Sequence, residues 1–328
     1  MNIAIIGSGS WATALAKIVM HNATDINWYI RKQETIDEFI EIRRNPNHLE
    51  WAYFDVSRIH FSADINAVIE QSDLLVLAVP SPYLKQSLND IKVDMSNKMV
   101  ISAVKGMIPD ENLLVTEYMH QYFHVPKENL GVIAGPCHAE EIALERLSYL
   151  TVGCKDMQKA IEWSKLFDTP YVRTTPSNDV EGLEYASVMK NIYAIAAGIC
   201  HGLGYGDNFM AVLMTNAFNE LATFLNATHP DANRVVKSAA YLGDLLVTGY
   251  SQFSRNRTFG NMIGKGYSVK SAQVEMSMVA EGYYASKCIH EINKEYRIDM
   301  PIAEAVYLIL YEERYPPFVI KQLTEELF

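Results

Sequence analysis

Short apolar runs alternate with stretches of helical spacing through the first half of the chain, and the alternation stops near Pro176. Residues 3–6, 26–30, 74–79, 99–104 and 130–134 are mostly apolar segments of strand length, the pattern of strands buried on both faces. Residues 150–152 and 171–173 extend the series more weakly. Between the first two segments, residues 11–21 carry apolar side chains at helical spacing. Strands alternating with helices predict right-handed crossovers and a parallel, doubly wound sheet. Beyond Pro176 the strand signals nearly vanish. Residues 179–199, 208–227, 235–242, 269–276, 280–295 and 302–311 predict helices. The expected fold is α/β: a doubly wound parallel-sheet domain over residues 1–178, followed by an all-α domain over residues 179–328. A ligand cleft is expected between the two, outside the carboxyl ends of the strands.

Composition narrows the function. The 328 residues suffice for two domains, and a formal net charge of -11 argues against a general nucleic-acid binder, which needs a basic face. It leaves room for an anionic small substrate held by a few cations in one cleft. Cys137, Cys154, Cys200 and Cys288 are far apart with no CxxC pair, which predicts neither a zinc site nor a disulfide framework. The last three read as small buried apolar side chains. The opening MNIAIIGSGS has no basic segment ahead of its apolar run, so a signal peptide is not expected. No apolar stretch approaches membrane-spanning length. A cytoplasmic protein without bound metal or membrane insertion is expected.

Gly7-Ser8-Gly9-Ser10-Trp11-Ala12 follows the first strand and opens the first helix. Gly7 permits the tight turn, Gly9 lets the backbone approach a pyrophosphate, and the helix start supplies free N–H groups and partial positive charge. Ala12 stands where the third glycine of this Rossmann-type fingerprint would be. The plain alternative is a tight turn without a ligand; the strand–loop–helix context favours the dinucleotide. After the second strand comes Arg31-Lys32, with no carboxylate at that step and Glu34 only later. An arginine there accommodates a 2′-phosphate, so NADP or NAD is expected with NADPH preferred. The alternative is a pair of solvated loop charges.

Four further features carry chemistry. Lys190 lies on a predicted helix with Ala186, Ser187, Tyr193 and Ala194 one turn away. A lysine on so small and apolar a face loses hydration and drops in pKa toward values useful for proton transfer, unless it snorkels to solvent. Lys105 ends an apolar strand, where a cation polarises a carbonyl or binds phosphate, or simply marks the exit to water. Asp244 follows a glycine in an apolar context and is an N-cap on its plainest reading. Ser254-Arg255-Asn256-Arg257 offers two guanidinium forks suited to phosphate, or is only a polar loop. His138, His201, Tyr283-Tyr284 and the 276–278 stretch with its two methionines read as structural.

The ordered set of these segments resembles the bacterial NAD(P)-dependent glycerol-3-phosphate dehydrogenases. It comprises Ser102-Ala103-Val104-Lys105-Gly106, Gly135-Pro136-Cys137-His138-Ala139-Glu140-Glu141, Lys190-Asn191, Gly243-Asp244-Leu245, Ser254 to Arg257 and Val279-Ala280-Glu281-Gly282. The likeness runs from Ile3 to about Tyr311. It implies reduction of dihydroxyacetone phosphate to glycerol 3-phosphate, feeding phospholipid synthesis, in a homodimer. By resemblance, Lys190 is the general acid/base and Lys105 contacts substrate. Asp244 orients the lysine and the substrate hydroxyls, with Thr248 sharing its face. Asn191, Ser254, Arg255 and Asn256 complete the substrate contacts, Arg255 also reaching cofactor. Gly135 and Ala139 mark a turn that approaches substrate and cofactor. Cys137 stands where the family often has a hydroxyl, and a thiol is the weaker donor. Gly7, Gly9, Ser10, Trp11, Arg31, Lys105, Val279 and Glu281 match cofactor contacts. Two rival readings remain at this level. One is a related dehydrogenase of another hydroxy acid or sugar acid, disfavoured by the phosphate-directed 254–257 cluster. The other is a nucleotide-binding sensor, disfavoured by Lys105, Lys190 and Asp244 together.

Overall fold

In the computed structural model, which describes residues 1–276 and 278–327, eight strands form one sheet. They are β1 (Ile3–Ile6), β2 (Ile26–Tyr29), β3 (Ile59–Ser62), β4 (Leu74–Leu77), β5 (Met99–Ser102), β6 (Leu130–Ala134), β7 (Ser148–Cys154) and β8 (Val172–Ser177). Their spatial order is β3-β2-β1-β4-β5-β6-β7-β8. Every neighbouring pair is parallel except β6 and β7, which run antiparallel. The expected doubly wound parallel sheet is present, with one antiparallel pair that the sequence pattern does not reveal. β1, β2 and β4 are buried at every position, which is why they are legible as apolar runs. β3 buries only Ile59, with His60 exposed and Phe61 and Ser62 half-buried, so it carries no apolar run by which the sequence would mark it. β8 carries Pro176 within its span. That is tolerated because β8 is the last strand in the order and Pro176 lacks only a donor that an edge strand need not use.

The helices of this part are α1 (Ser10–Asn22), α2 (Gln33–Ile42), α3 (Ile65–Glu70), α4 (Ser81–Leu88), α5 (Val115–Phe123), α6 (Ala139–Ala143) and α7 (Met157–Phe167). Asp64 and Asp156 cap α3 and α7 by accepting backbone N–H bonds from the first turn. The chain divides into two compact units: Met1–Val104 with Val115–Val180, and Lys105–Leu114 with Glu181–Phe328. The short segment after β5 thus packs with the helical unit, although it lies inside the first half of the sequence.

The helical part contains α8 (Val180–Gly202), α9 (Asp207–Thr228), α10 (Asp244–Tyr250), α11 (Arg255–Gly264), α12 (Val269–Glu275), α13 (Glu281–Tyr296), α14 (Pro301–Tyr311) and α15 (Pro316–Glu326). From Leu183 to Cys200 only buried residues occur on α8, apolar on almost all faces, as a central helix must be. The expected helix over residues 235–242 is corrected. Residues 235–238 form turns, and a short π-helix, Ala239–Gly243, leads into α10. Local side-chain and backbone bonds explain it: the Asp231 carboxylate accepts the Asn233 N–H, and Ser238 N–H bonds Val235 C=O. The polar-loop alternative for residues 254–257 also fails, because Ser254 is the N-cap of α11 and accepts the Arg257 N–H. Nor is Asp244 an N-cap; it is the first residue of α10. Helix α15 begins with two prolines at its N-terminus and was not anticipated. Met276 and Met278 are half-buried, and Ser277 lies outside the described residues. All four cysteines are buried, and no disulfide forms among the described residues. No helix among the described residues is long and apolar enough to cross a membrane.

A buried carboxylate joins α9 to α14. The two oxygens of Glu220 on α9 accept the N–H groups of Ile302 (2.9 Å) and Ala303 (3.0 Å), donors left free in the first turn of α14. Burial pushes this carboxyl from 4.5 up to about 8, against the pull of those two N–H groups. The folded state therefore holds a proton that the unfolded chain has released between those values. The resulting stabilisation is full below about 4.5 and is lost as pH rises through about 8. Chemical denaturation across that window is expected to show wild type losing stability relative to Glu220→Gln as pH rises, with the variant flat in this contribution.

Candidate active site

The first group of site residues gathers at the carboxyl ends of β1 and β2. Gly7 has φ +126° and turns the chain out of β1; a Cβ there would meet the Ala78 carbonyl oxygen at 2.7 Å. Gly9 is the N-cap of α1, and nothing lies within 4 Å of where its Cβ would stand. The protein itself does not fill that space, as a loop shaped for a ligand requires. The first intrahelical bond runs from Thr13 N–H to Gly9 C=O, so the N–H groups of Ser10, Trp11 and Ala12 precede the helix's own ladder. Ser10 is buried and Trp11 half-buried. The register pairs Ile6 with Tyr29, so the ends of β1 and β2 are level. Arg31, two residues beyond Tyr29, is exposed at this edge. These features suit a dinucleotide: donors for a pyrophosphate, and a guanidinium at the place of a 2′-phosphate.

Sequence reasoning missed the side chains that hold this loop. Trp28 Nε1 donates to Gly7 C=O (2.7 Å). Asn45 Nδ2 donates to Ser8 C=O (2.9 Å) and to Thr13 Oγ1 (2.7 Å), and Thr13 Oγ1 donates to Gly9 C=O (3.0 Å). Ser10 Oγ pairs with His48 Nδ1 at 3.3 Å. Asn45 and His48 lie in an irregular segment with no periodicity, and only the tertiary fold brings them to residues 8–13.

Gly135, Cys137 and Ala139 lie at the same sheet edge beyond β6, separated from β1 by β4 and β5. Ala139 begins α6, which packs on α1. Cys137 is buried, and its thiol donates to Tyr149 C=O (3.2 Å), so its S–H is directed into β7. His138 is the half-buried N-cap residue of α6, while His201 is exposed at the end of α8.

The second group lies in the helical unit. Lys190 on α8 is 3% exposed and Asp244 on α10 is 1% exposed. Lys190 Nζ donates to Asp244 Oδ1, forming a buried ion pair. Thr248, one turn along α10, donates its hydroxyl to Asp244 C=O (2.7 Å) and lies 3.5 Å from Asp244 Oδ1. Burial pushes the Lys190 amine from 10.5 down to about 7. Asp244 pulls it up, and the charge and hydrogen bonding of Lys105 press it further down. Asp244 Oδ2 and, one turn before Lys190, the Ser187 hydroxyl are buried without a hydrogen-bond partner among the described residues. Ser187 is a second feature whose significance the sequence did not flag. Asn191 Nδ2 donates to the backbone carbonyl of Lys105 (2.7 Å).

Two other helix starts pack on α8. Ser254, Arg255 and Asn256 form the N-terminus of α11, with Ser254 and Asn256 buried and Arg255 half-buried. Asn256 Oδ1 accepts the Gly282 N–H (2.9 Å), which leaves its NH₂ donors to other partners and ties α11 to the start of α13. Gly282 lies so near α8 that a Cβ would fall 2.5 Å from the Asn191 carbonyl oxygen. Val279 and Glu281, both half-buried, flank this contact. The helical unit therefore brings Lys105, Lys190, Asn191, Asp244 and Thr248 together and joins Asn256 to the 279–282 turn. Among the described residues no His, Cys, Asp or Glu cluster suits a metal ion.

Residues 2–160 match the N-terminal family model of the NAD-dependent glycerol-3-phosphate dehydrogenases, and residues 179–321 match the C-terminal one. A glycerol-3-phosphate dehydrogenase (NAD(P)+) of an Exiguobacterium species is 34% identical over 325 residues, covering 98% of this chain and 94% of the relative. Its counterpart in Bacillus pumilus is 35% identical over 315 residues, covering 94% and 90%. The crystal structure of glycerol-3-phosphate dehydrogenase from Coxiella burnetii superposes with a TM-score of 0.89 at 27% identity, covering 99% of this chain and 98% of that one.

The two loop glycines differ in what surrounds them, and their alanine variants separate accordingly. Gly7→Ala is expected to destabilise the protein by about 1–3 kcal/mol in chemical denaturation, through strain at positive φ and the clash with Ala78. Gly9→Ala is expected to leave stability unchanged yet to weaken NADPH binding at least about tenfold in a fluorescence titration.

Proposed function

The chain belongs to the NAD-dependent glycerol-3-phosphate dehydrogenase family, and on that premise we propose that it reversibly reduces dihydroxyacetone phosphate to sn-glycerol 3-phosphate with NADPH or NADH. The observation that carries this reading is the Lys190–Asp244 pair, buried with the charge of Lys105 beside it and poised to exchange a proton near neutral pH. The nicotinamide cofactor, when bound, supplies or takes up the hydride at the substrate's second carbon.

The remaining work falls to the chain's own residues. Gly7, Gly9, Ser10 and Trp11 cradle the pyrophosphate with the first-turn N–H groups of α1, and Arg31 receives a 2′-phosphate. Ala139, Arg255, Val279, Glu281 and Lys105 complete the cofactor contacts in this proposal. Arg255 and Asn256, at the start of α11 behind the Ser254 cap, grip the substrate phosphate with a guanidinium fork, amide donors and the helix N-terminus. Gly135 and Cys137 border the substrate, with Asn191 beside the lysine. Lys190 donates its proton to the oxygen that becomes the hydroxyl. Asp244, steadied by Thr248, holds the ammonium in place, and Lys105 adds positive charge where negative charge develops. Residues 1–178 serve the dinucleotide and residues 179–328 the substrate, with Lys105 contributed to the helical unit from within the first half. Four buried cysteines without a disulfide among the described residues favour a reducing compartment, and we assign the enzyme to the cytoplasm. The resemblance favours a homodimer and a role in supplying phospholipid synthesis.

Lys190→Ala is expected to lower turnover by about 10²–10⁴-fold with NADPH affinity retained, read from NADPH absorbance with dihydroxyacetone phosphate. Near-normal turnover would remove Lys190 from the role. In wild type, reduction needs the protonated amine and oxidation the neutral one. The reductive rate is therefore expected to fall, and the oxidative rate to rise, as pH passes upward through about 7. Arg31→Ala is expected to lower NADP affinity at least about tenfold relative to NAD; an unchanged ratio rejects its role.

A further inference from the structure

Two carbonyls of the glycine loop are gathered to one point. Ser8 C=O accepts the Asn45 side-chain amide at 2.9 Å, and Gly9 C=O accepts the Thr13 hydroxyl at 3.0 Å. Asn45 also donates to Thr13 Oγ1 at 2.7 Å, which joins the two clamps. With its oxygen accepting from Asn45, the Thr13 hydroxyl has its proton left for Gly9, so the bonds run in one direction. The other end of the amide is committed as well, because Asn45 Oδ1 accepts the Asn47 N–H at 3.0 Å. The segment that carries Asn45 is tied in turn: Arg44 bridges Tyr53, and Phe54 N–H bonds Arg43 C=O at 2.9 Å.

The consequence lies in the peptide planes. A trans peptide directs its C=O and its N–H to opposite sides, and no cis bond occurs among the described residues. Holding Ser8 C=O against Asn45 therefore turns the Gly9 N–H the other way. Holding Gly9 C=O against Thr13 does the same for the Ser10 N–H. Because the two clamps touch each other, these adjacent N–H groups leave the loop on the same side. Glycines at positions 7 and 9 leave the peptides on either side of Ser8 easy to rotate, so their orientation has to come from bonds to other residues. Trp28 Nε1 supplies one such bond at Gly7 C=O, and Asn45 and Thr13 supply the next two.

We propose that Asn45 and Thr13 are positioning residues for the dinucleotide: they hold the Gly9 and Ser10 N–H groups side by side toward the cofactor's pyrophosphate. The proposal rests on the reading of residues 7–11 as the pyrophosphate loop. Both side chains are 0% exposed, so they act through the backbone and not by contact with the cofactor. A donor turned away from the pyrophosphate forfeits a hydrogen bond to a charged group, which is among the stronger kinds.

The test is NADPH affinity in the full-length enzyme, by fluorescence titration of Thr13→Val and Asn45→Leu, each checked by circular dichroism. Thr13→Val removes the hydroxyl at nearly constant shape, and Asn45→Leu removes both amide donors at similar volume. Adenosine 2′-phosphate, which carries no pyrophosphate, serves as the internal comparison by competition, and Gly9→Ala as the reference for a damaged loop. Both variants are expected to weaken NADPH at least about tenfold and to raise its KM to match, with kcat changed less than about threefold and adenosine 2′-phosphate affinity within about twofold. Folded variants that bind NADPH as wild type does, while Gly9→Ala weakens it, would overturn the proposal and leave the loop's role intact. Wild-type affinity in Gly9→Ala would overturn the loop reading and the proposal with it. Equal weakening of NADPH and adenosine 2′-phosphate would mark a general loss of structure and also overturn it, as would failure of both variants to fold.

Discussion

A lysine and an aspartate removed from water together are the constraint on which the helical unit turns. Separately, either charge would be costly in the interior. Paired, the attraction offsets only part of the lost hydration, and removing one partner of such a pair typically costs about 3–5 kcal/mol. The pair of Lys190 and Asp244 survives because each member sits on a helix held from several sides. The imbalance is useful. Burial and Lys105 lower the amine's proton affinity while Asp244 restores part of it, and the outcome lies near neutral pH rather than at an ordinary lysine value.

Close helix packing fixes the surroundings of that pair. A Cβ on Gly260 of α11 would fall 2.1 Å from the Ile195 carbonyl oxygen, and one on Gly282 of α13 would fall 2.5 Å from that of Asn191. Two backbones in such contact have little freedom to slide, because cores deform in steps rather than continuously. The starts of α11 and α13, with Arg255, Asn256 and Glu281, are thereby set against the helix that carries Lys190. The π-helix ahead of α10 departs from regular geometry just before Asp244, a place where such departures often accompany function.

The dinucleotide loop uses a different strategy. Its backbone is not gripped by a neighbouring helix but stitched by side chains: the Trp28 indole on Gly7, and the Asn45 amide on Ser8 and Thr13. Gly9 is left with open space in front of it. Rigid support behind and room ahead are what a preformed phosphate cradle needs.

The residues alone determined the doubly wound sheet, the helical second half and the identity of most candidate site residues. Buried parallel strands and a buried helix announce themselves as apolar runs, and the glycine turn and the lysines stand out against them. The boundaries of α8, α9, α13 and α14 were legible to within a few residues for the same reason. What the tertiary structure decided is everything that depends on contacts between distant segments. The antiparallel turn of β7, the edge strand with Pro176, the helix at residues 255–264 and the π-helix follow from packing and local hydrogen bonding that no period encodes. The same holds for the anchors: Asn45 on residues 8 and 13, and Asn191 on Lys105 across 86 positions of sequence. A one-dimensional pattern records which side chains avoid water; only the folded chain decides which polar groups find one another once water has been removed.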